Sequence, residues 1–300
     1  MNPDLHASYD FCARVARREA KNFYPSFLLL PAPRRRSMCA LYAFLRRSDD
    51  IADEPDQGVD RREALRRWRS ALDLALSGSP AEGPGEWPGW PALAETAARH
   101  AIPGKYLHEV LDGVESDLEP APFATFEDLR GYCRRVASAV GLCCLHIWGF
   151  RSEGGRAESL AESAGLALQL TNVIRDVKED AGNGRVYLPA DDLARFGVTA
   201  DDLTAAHASH RLQSLLAFEA ARAYDEYERA KPLAALVSPE GRPVLLTIVG
   251  VYRALLDEIA RREYDVLPAR LSLPAWRKAA VAARAFAGRL APSKPWPPDR

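Results

Sequence analysis

No stretch of this chain reaches the roughly 18 consecutive apolar residues that a membrane-crossing helix needs. The longest apolar pieces, Phe27-Leu28-Leu29-Leu30 and Val244-Leu245-Leu246-Thr247-Ile248-Val249, fall well short. Alternating β-branched runs are also missing, which argues against a sheet. Charge of one sign is not in excess: the net charge is −1 over 300 residues. The basic footprint of a nucleic-acid-binding domain is therefore absent, and no nucleic-acid partner is expected. Cysteines are few (Cys12, Cys39, Cys133, Cys143 and Cys144), odd in number and without C-x-x-C spacing. That pattern speaks against a structural zinc site and for reduced, buried thiols. No G-x-G-x-x-G occurs, so a Rossmann-type NADPH site has no support. The start, Met1-Asn2-Pro3-Asp4, lacks the basic-then-apolar plan of a signal peptide. These absences predict a cytoplasmic protein, with a position at the inner face of the membrane left open.

What is present is helical patterning almost throughout. Apolar residues make up 47% and charged residues 27%, ordinary proportions for a globular chain able to bury a large core. Helix periodicity predicts segments near 5–22, 34–54, 60–77, 88–100, 103–118, 125–149, 156–181, 207–230, 240–264 and 272–290. Gly78 to Pro91, Pro120-Ala121-Pro122 and Ala181 to Arg185 are Gly- and Pro-rich or broken, and are expected to be loops. No repeat and no convincing linker divides the chain. The expectation is one all-α domain over residues 1–290, followed by a flexible tail at 291–300.

Two acidic helix faces lie about 120 residues apart. In Asp49-Asp50-Ile51-Ala52-Asp53-Glu54, Asp49 and Asp53 stack one turn apart at the end of a helix whose preceding residues, Met38 to Leu45, are mostly apolar. Acidic groups at a helix C-terminus oppose its dipole, so a purely structural role there is costly. The second face, Gln169, Asn172, Asp176 and Asp180, is spaced three, four and four on a helix otherwise covered by Leu166, Leu170, Val173, Ile174 and Val177. Buried amides and carboxylates need partners. Hard oxygen ligands of this kind suit Mg²⁺, which is held by a few carboxylates together with substrate phosphates. The chemistry that results is that of an enzyme acting on a diphosphate. His207 and His210, three apart on one expected helix, have no carboxylate motif around them and are expected to be an exposed face.

Tyr42-Ala43-Phe44-Leu45-Arg46-Arg47-Ser48-Asp49-Asp50-Ile51-Ala52-Asp53 resembles the first aspartate-rich motif of the squalene/phytoene synthase family. Gln169 through Asp180 resembles the second. Tyr132 through Gly141, Gly184-Arg185-Val186-Tyr187-Leu188-Pro189, and Tyr252 through Val266 agree in order and spacing. The resemblance implies an all-α isoprenoid (terpenoid) synthase fold, a single helical bundle around a central cavity. It also implies head-to-head condensation of two prenyl diphosphates with Mg²⁺, for which Mn²⁺ would substitute. On this resemblance Asp49, Asp53, Asn172, Asp176 and Asp180 would hold the metals. Arg46, Arg175 and Arg185 would meet phosphate oxygens, as bidentate arginine does. Phe23, Phe27, Tyr42, Ala137, Val140 and Gly141 would line a dry cavity, with Phe27 and the neighbouring Cys39 shaping its floor. Tyr132 and Tyr252 match positions near the reacting carbons, and Gln169 belongs to the substrate wall. At the N-terminal end, Lys21 and Asn22 would contact diphosphate, but Ala20 stands where the family often carries a hydroxyl residue.

Gly131 to Ala137 and Gly184 to Pro189 look closest to bacterial presqualene diphosphate synthases, which favours two farnesyl diphosphates as substrate and presqualene diphosphate as product. Phytoene synthesis from geranylgeranyl diphosphate, a head-to-tail prenyltransferase or cyclase, and an inactive helical scaffold stay open as alternatives. NADPH use and oligomeric state are also open. A very apolar product suggests peripheral membrane contact, although no amphipathic segment singles itself out.

Overall fold

The computed structural model describes residues 3–20, 23–53, 60–78, 87–119 and 121–287. Its helices are α1 (Pro3–Glu19), α2 (Tyr24–Phe27), α3 (Ala32–Asp53), α4 (Arg61–Leu76), α5 (Trp90–Arg99), α6 (Gly104–Ser116) and α7 (Phe126–Cys133). A π-helical turn (Arg134–Ser138) leads into α8 (Ala139–Trp148), followed by α9 (Arg156–Gly182), α10 (Ala190–Phe196), α11 (Ala200–Thr204) and α12 (His210–Ala230). Last come α13 (Leu233–Leu236), α14 (Arg242–Arg261) and α15 (Ala275–Ala287). Among the described residues extended pairing is limited to one isolated bridge between Phe150 and Val237, as the missing strand signal predicts.

Local chemistry sets several helix ends. Asp60 accepts from the Arg62 amide at the start of α4, and Thr125 with Asp128 forms a capping box on α7. His210 opens α12 because Ser209 caps it through the Leu212 amide. His207 therefore lies before that helix, bonded to Asp265 at 2.8 Å, and not on a shared face with His210 as expected. The expected helix at 125–149 is interrupted by the π turn, and the short helices α2, α10, α11 and α13 carry too few residues for a periodic pattern. The expected tail at 291–300 lies outside the described residues.

The helices pack into two apolar clusters. One gathers Phe44, Trp68, Trp90, Leu107 and Leu145 from α3 to α8. The other gathers Leu129, Leu170, Ile174, Leu216 and Leu256 from α7, α9, α12 and α14. Burying each such side chain contributes about 1.5–3 kcal/mol. Buried polar links fix helix against helix: Trp68 Nε1 donates to Ser48 Oγ at 2.9 Å, joining α4 to α3, and Thr171 and Tyr227 share a hydroxyl bond of 2.9 Å, joining α9 to α12. All five cysteines are free and buried, as expected.

Backbones touch at glycines. A Cβ on Gly165 of α9 would stand 2.6 Å from Ser138 Cα, and one on Gly113 of α6 would stand 2.7 Å from Val136 Cγ1. Both contacts press on the π turn. Gly165→Ala is expected to destabilise the fold by about 1–3 kcal/mol through overpacking, read as a lower urea midpoint with an unchanged slope.

His100 is half-buried, with Nε2 3.0 Å from Ser37 Oγ. Burial, reinforced by the charges of Arg34 and Arg99, pushes its pKa down to about 4. The unfolded chain, with a histidine pKa of about 6.5, then binds more protons than the native state between those values. Stability should fall as pH drops from about 6.5 towards 4. His100→Gln should flatten that slope, measured as the difference between wild-type and variant unfolding free energies across the window.

Candidate active site

Between the two clusters lies a cavity of about 470 Å³. Its walls come from α2, α3, α6, α7, the π turn, α8, α9, α13 and α14. Along α3 the lining residues pass from Met38 and Leu41 through Tyr42, Leu45 and Arg46 to Asp49. Along α9 they pass from Ala161, Ala164 and Gly165 through Leu168 to Gln169 and Asn172. Each helix thus presents apolar groups first and polar groups in its later turns, one stripe per helix, as i,i+3/i+4 spacing requires.

Twelve of the expected residues line this cavity: Phe23, Phe27, Tyr42, Arg46, Asp49, Tyr132, Ala137, Val140, Gly141, Gln169, Asn172 and Tyr252. The π turn aims Val136 and Ala137 inward, a common use of such turns at functional sites. Phe23 stacks on Tyr252 at 6.1 Å with 16° between planes, and Phe27 meets Tyr42 edge-on at 6.5 Å. Cys39 is buried beside Cys12 and is not part of the lining, because it sits on the side of α3 that faces α1. Trp148, Leu233 and Leu245 line the wall as well. Lys21 and Asn22, and the side chain of Asp53, lie outside the described residues.

The remaining polar residues form a cluster beside the cavity. Arg175 Nε donates to Asp176 Oδ1 at 2.7 Å and Arg270 Nε to the same oxygen at 2.9 Å. Burial works against the Asp176 carboxylate, but the two guanidiniums outweigh it and hold its pKa below the usual range. One turn on, Asp180 is opposite in character. Burial, then the charges of Asp176 and Glu179, push it up to about 7, with Arg185 and Arg175 offsetting part of the rise. Lys178, in the same motif, points elsewhere and donates to the carbonyls of Ala205 and Leu267 at 3.1 and 3.0 Å. On the first motif Arg46 pairs with Asp50 at 2.5 Å.

Asn172 donates to Gln169 Oε1 at 3.3 Å, while its own Oδ1 is buried with no hydrogen-bond partner among the described residues. An orphaned carbonyl oxygen on a cavity wall and a carboxyl whose ionisation is resisted by burial and like charges are what a cation would relieve. Among the described residues no three carboxylate, imidazole or thiol groups converge to hold an ion alone. A donor set this sparse fits Mg²⁺ completed by substrate phosphates.

Two residues escaped the sequence reading. Arg270 lies in the coil between α14 and α15, where no periodicity marks it. Asp117, just past α6, accepts from Tyr132 at 3.1 Å and Tyr187 at 3.3 Å. Burial, then the Asp117 charge, drives the Tyr132 phenol far above its ordinary pKa, so it is a neutral donor. The signal available was an Asp ending a helix ahead of the Tyr132–Gly141 motif.

The helical array and its walled cavity define the all-α isoprenoid synthase fold. The family model for squalene/phytoene synthase matches residues 16–277, and the chain belongs to that family. It is 35% identical over 282 residues to the phytoene synthase of Arthrospira platensis, covering 90% of each chain. A dehydrosqualene synthase solved with a ligand superimposes with a TM-score of 0.85 at 27% identity, covering 94% of this chain and 96% of the other. Squalene synthase HpnC from Alicyclobacillus acidocaldarius gives 0.80 at 30% identity, covering 88% and 97%.

A Cβ on Gly141 would touch nothing closer than Ala161 O at 3.6 Å, so a side chain there grows into the cavity. Gly141→Leu is expected to leave the melting temperature nearly unchanged but to cut prenyl diphosphate turnover at least tenfold, about 1.4 kcal/mol of barrier.

Proposed function

We propose that the protein condenses two farnesyl diphosphates head to head into presqualene diphosphate, releasing one diphosphate. The observation that carries this reading is one apolar cavity reached by polar groups of both acidic motifs, Asp49 from the first and Gln169 and Asn172 from the second. The family condenses prenyl diphosphates head to head; the fifteen-carbon substrate is the finer claim. Two of the structures similar to this chain carry the names dehydrosqualene synthase and squalene synthase, which supports it.

In the reaction the allylic C–O bond of one substrate breaks and diphosphate leaves with the electron pair. The resulting cation is attacked by the double bond of the second molecule. Loss of one proton closes the cyclopropane ring of the product, which keeps the second diphosphate. Bound Mg²⁺, or Mn²⁺ in its place, would neutralise the negative charge of the leaving group, held by Asp49, Asp53, Asn172, Asp176 and Asp180. Arg46, Arg175 and Arg185 would bind phosphate oxygens, and the ion pairs of Arg175 with Asp176 and of Arg46 with Asp50 would loosen as substrate arrives. The apolar wall from Phe27 to Val140 and Gly141 excludes water that would quench the cation. The faces of Tyr42 and Tyr252 offer π density to it, while Tyr132 stays fixed by Asp117. The long hydrocarbon chains of the product call for peripheral membrane contact on release. Among the described residues no helix is long and apolar enough to cross a membrane.

A second reading, phytoene formation from two geranylgeranyl diphosphates, is favoured by the names of curated relatives. Incubation with Mg²⁺ and either substrate, with and without NADPH, followed by mass spectrometry, separates the two. Presqualene diphosphate or squalene from the C15 substrate is expected; phytoene from the C20 substrate alone would overturn the substrate, and no product from either would leave a scaffold role. Asp176→Ala should abolish turnover in a protein with native circular dichroism. Near-normal activity in that variant would remove Asp176 from the metal set.

A further inference from the structure

Helix α15 has two faces of different kind. Successive residues turn by about 100°, so Trp276, Ala279, Ala283 and Phe286 fall within roughly 80° of arc. All four are exposed, Trp276 at 69% and Phe286 at 47%. The opposite face secures the helix to α14: Val281 sits where a Cβ on Gly250 would be 2.8 Å away, Ala285 is buried, and Arg277 pairs with Glu258 at 2.9 Å. The exposed stripe is therefore not what docks the helix onto the bundle. Large aromatics left in water on a helix already anchored elsewhere mark a contact surface.

Charge narrows the partner. From Val266 to Pro298 the sequence has no Asp or Glu, yet it carries Arg270, Arg277, Lys278, Arg284, Arg289 and Lys294. Arg270 and Arg277 are already paired, with Asp176 and Glu258, so the positive charge exposed beside the stripe is that of Arg284, with Arg289 and Lys294 following in the sequence. Arg284 follows the stripe by less than a quarter turn. A helix with Trp and Phe on one side and basic residues flanking it suits the interface of an anionic bilayer.

Position adds a third argument. A small cavity of about 60 Å³ is lined by Ser26, Leu271 and Lys278, and shares Phe23, Ile248 and Tyr252 with the main cavity. The base of α15 and the end of α2 thus border the main cavity's side. Leu28, two residues past Ser26, is 55% exposed.

We propose that the Trp276–Phe286 stripe of α15 seats the protein on an anionic membrane surface, with the gap between α2 and α15 turned towards the lipid. That the gap passes a prenyl chain rests on the condensation reading; the docking itself does not.

Full-length protein is sedimented with phosphatidylcholine vesicles, with and without phosphatidylglycerol. Binding to the anionic vesicles that weakens with added salt is expected. Trp276→Ser/Phe286→Ser should lower vesicle affinity roughly tenfold or more, with the melting temperature and the turnover of detergent-dispersed substrate unchanged. Should the double variant fold poorly, Trp276→Ser alone and Arg284→Glu serve, each expected to weaken binding. Equal binding by these variants, or no binding of the wild type to either vesicle, overturns the proposal. So does a dimer in light scattering that the stripe variants dissociate, which would make the face a self-association surface. Vesicle binding without condensation by the wild type would sink the reaction and leave the docking; condensation without vesicle binding would do the reverse.

Discussion

A large opening in a close-packed interior is unfavourable, because the groups that line it lose contacts and the surrounding helices gain by closing in. Everything at this site depends on that closure being prevented. The bundle prevents it by fixing its helices where they touch. Gly165 lies against Ser138, Gly113 against Val136, and Gly241 against Trp148, where a Cβ would stand 2.4 Å from the tryptophan's own Cβ. Arg34 adds a bond to the Trp148 carbonyl at 2.7 Å from α3. With α3, α8, α9 and the π turn held at these points, the volume between them is set by backbone contact and not by how well side chains fill it.

The same rigidity creates the electrostatic problem. Helix α9 cannot rotate to bring Asp176 and Asp180 to solvent, since Leu170, Ile174 and Val177 are committed to the core on its other sides. Two carboxylates one turn apart are then kept partly out of water. The protein divides them: Asp176 is matched by Arg175 and Arg270, while at Asp180 burial and the neighbouring carboxylates outweigh Arg185 and Arg175. A carboxyl kept partly protonated and, two turns back on the same helix, an orphaned amide oxygen are poor for folding and good for binding a cation that arrives with its own phosphates. The Tyr132–Asp117–Tyr187 set shows the contrasting solution, one partly buried carboxylate that accepts from two phenols.

The long helices and both acidic stripes were legible because spacing of three and four over many turns has one structural meaning. Phe23, Phe27, Tyr42 and Tyr252 could be placed at the cavity only through the motifs around them, since an aromatic on a helix is equally suited to plain core. What could not be read depends on contacts distant in sequence. Arg270 reaches Asp176 across 94 positions, and nothing near it in the chain says so. Cys39 was expected to shape the floor with Phe27, yet it stands one residue past the lining residue Met38, and that rotation of about 100° turns it to the other side of α3. The two faces of α15 were blurred for a related reason: half of its exposed stripe is alanine, which does not advertise a surface until the partner helix is seen.

The π turn at Arg134–Ser138 has a consequence for how the gene can change. A π turn is an α-helix with one residue too many. Deleting a residue there would leave a continuous, hydrogen-bonded α-helix, with no local penalty to expose the loss. Five residues of a π turn advance the chain about as far around the axis as four of an α-helix, so Val140, Gly141, Cys144 and Trp148 would keep their place on the cavity wall. Insertions and deletions are usually absorbed by loops; here a helix interior absorbs one residue, and what its loss would remove is the local bulge that presents Val136 and Ala137, not the wall beyond it.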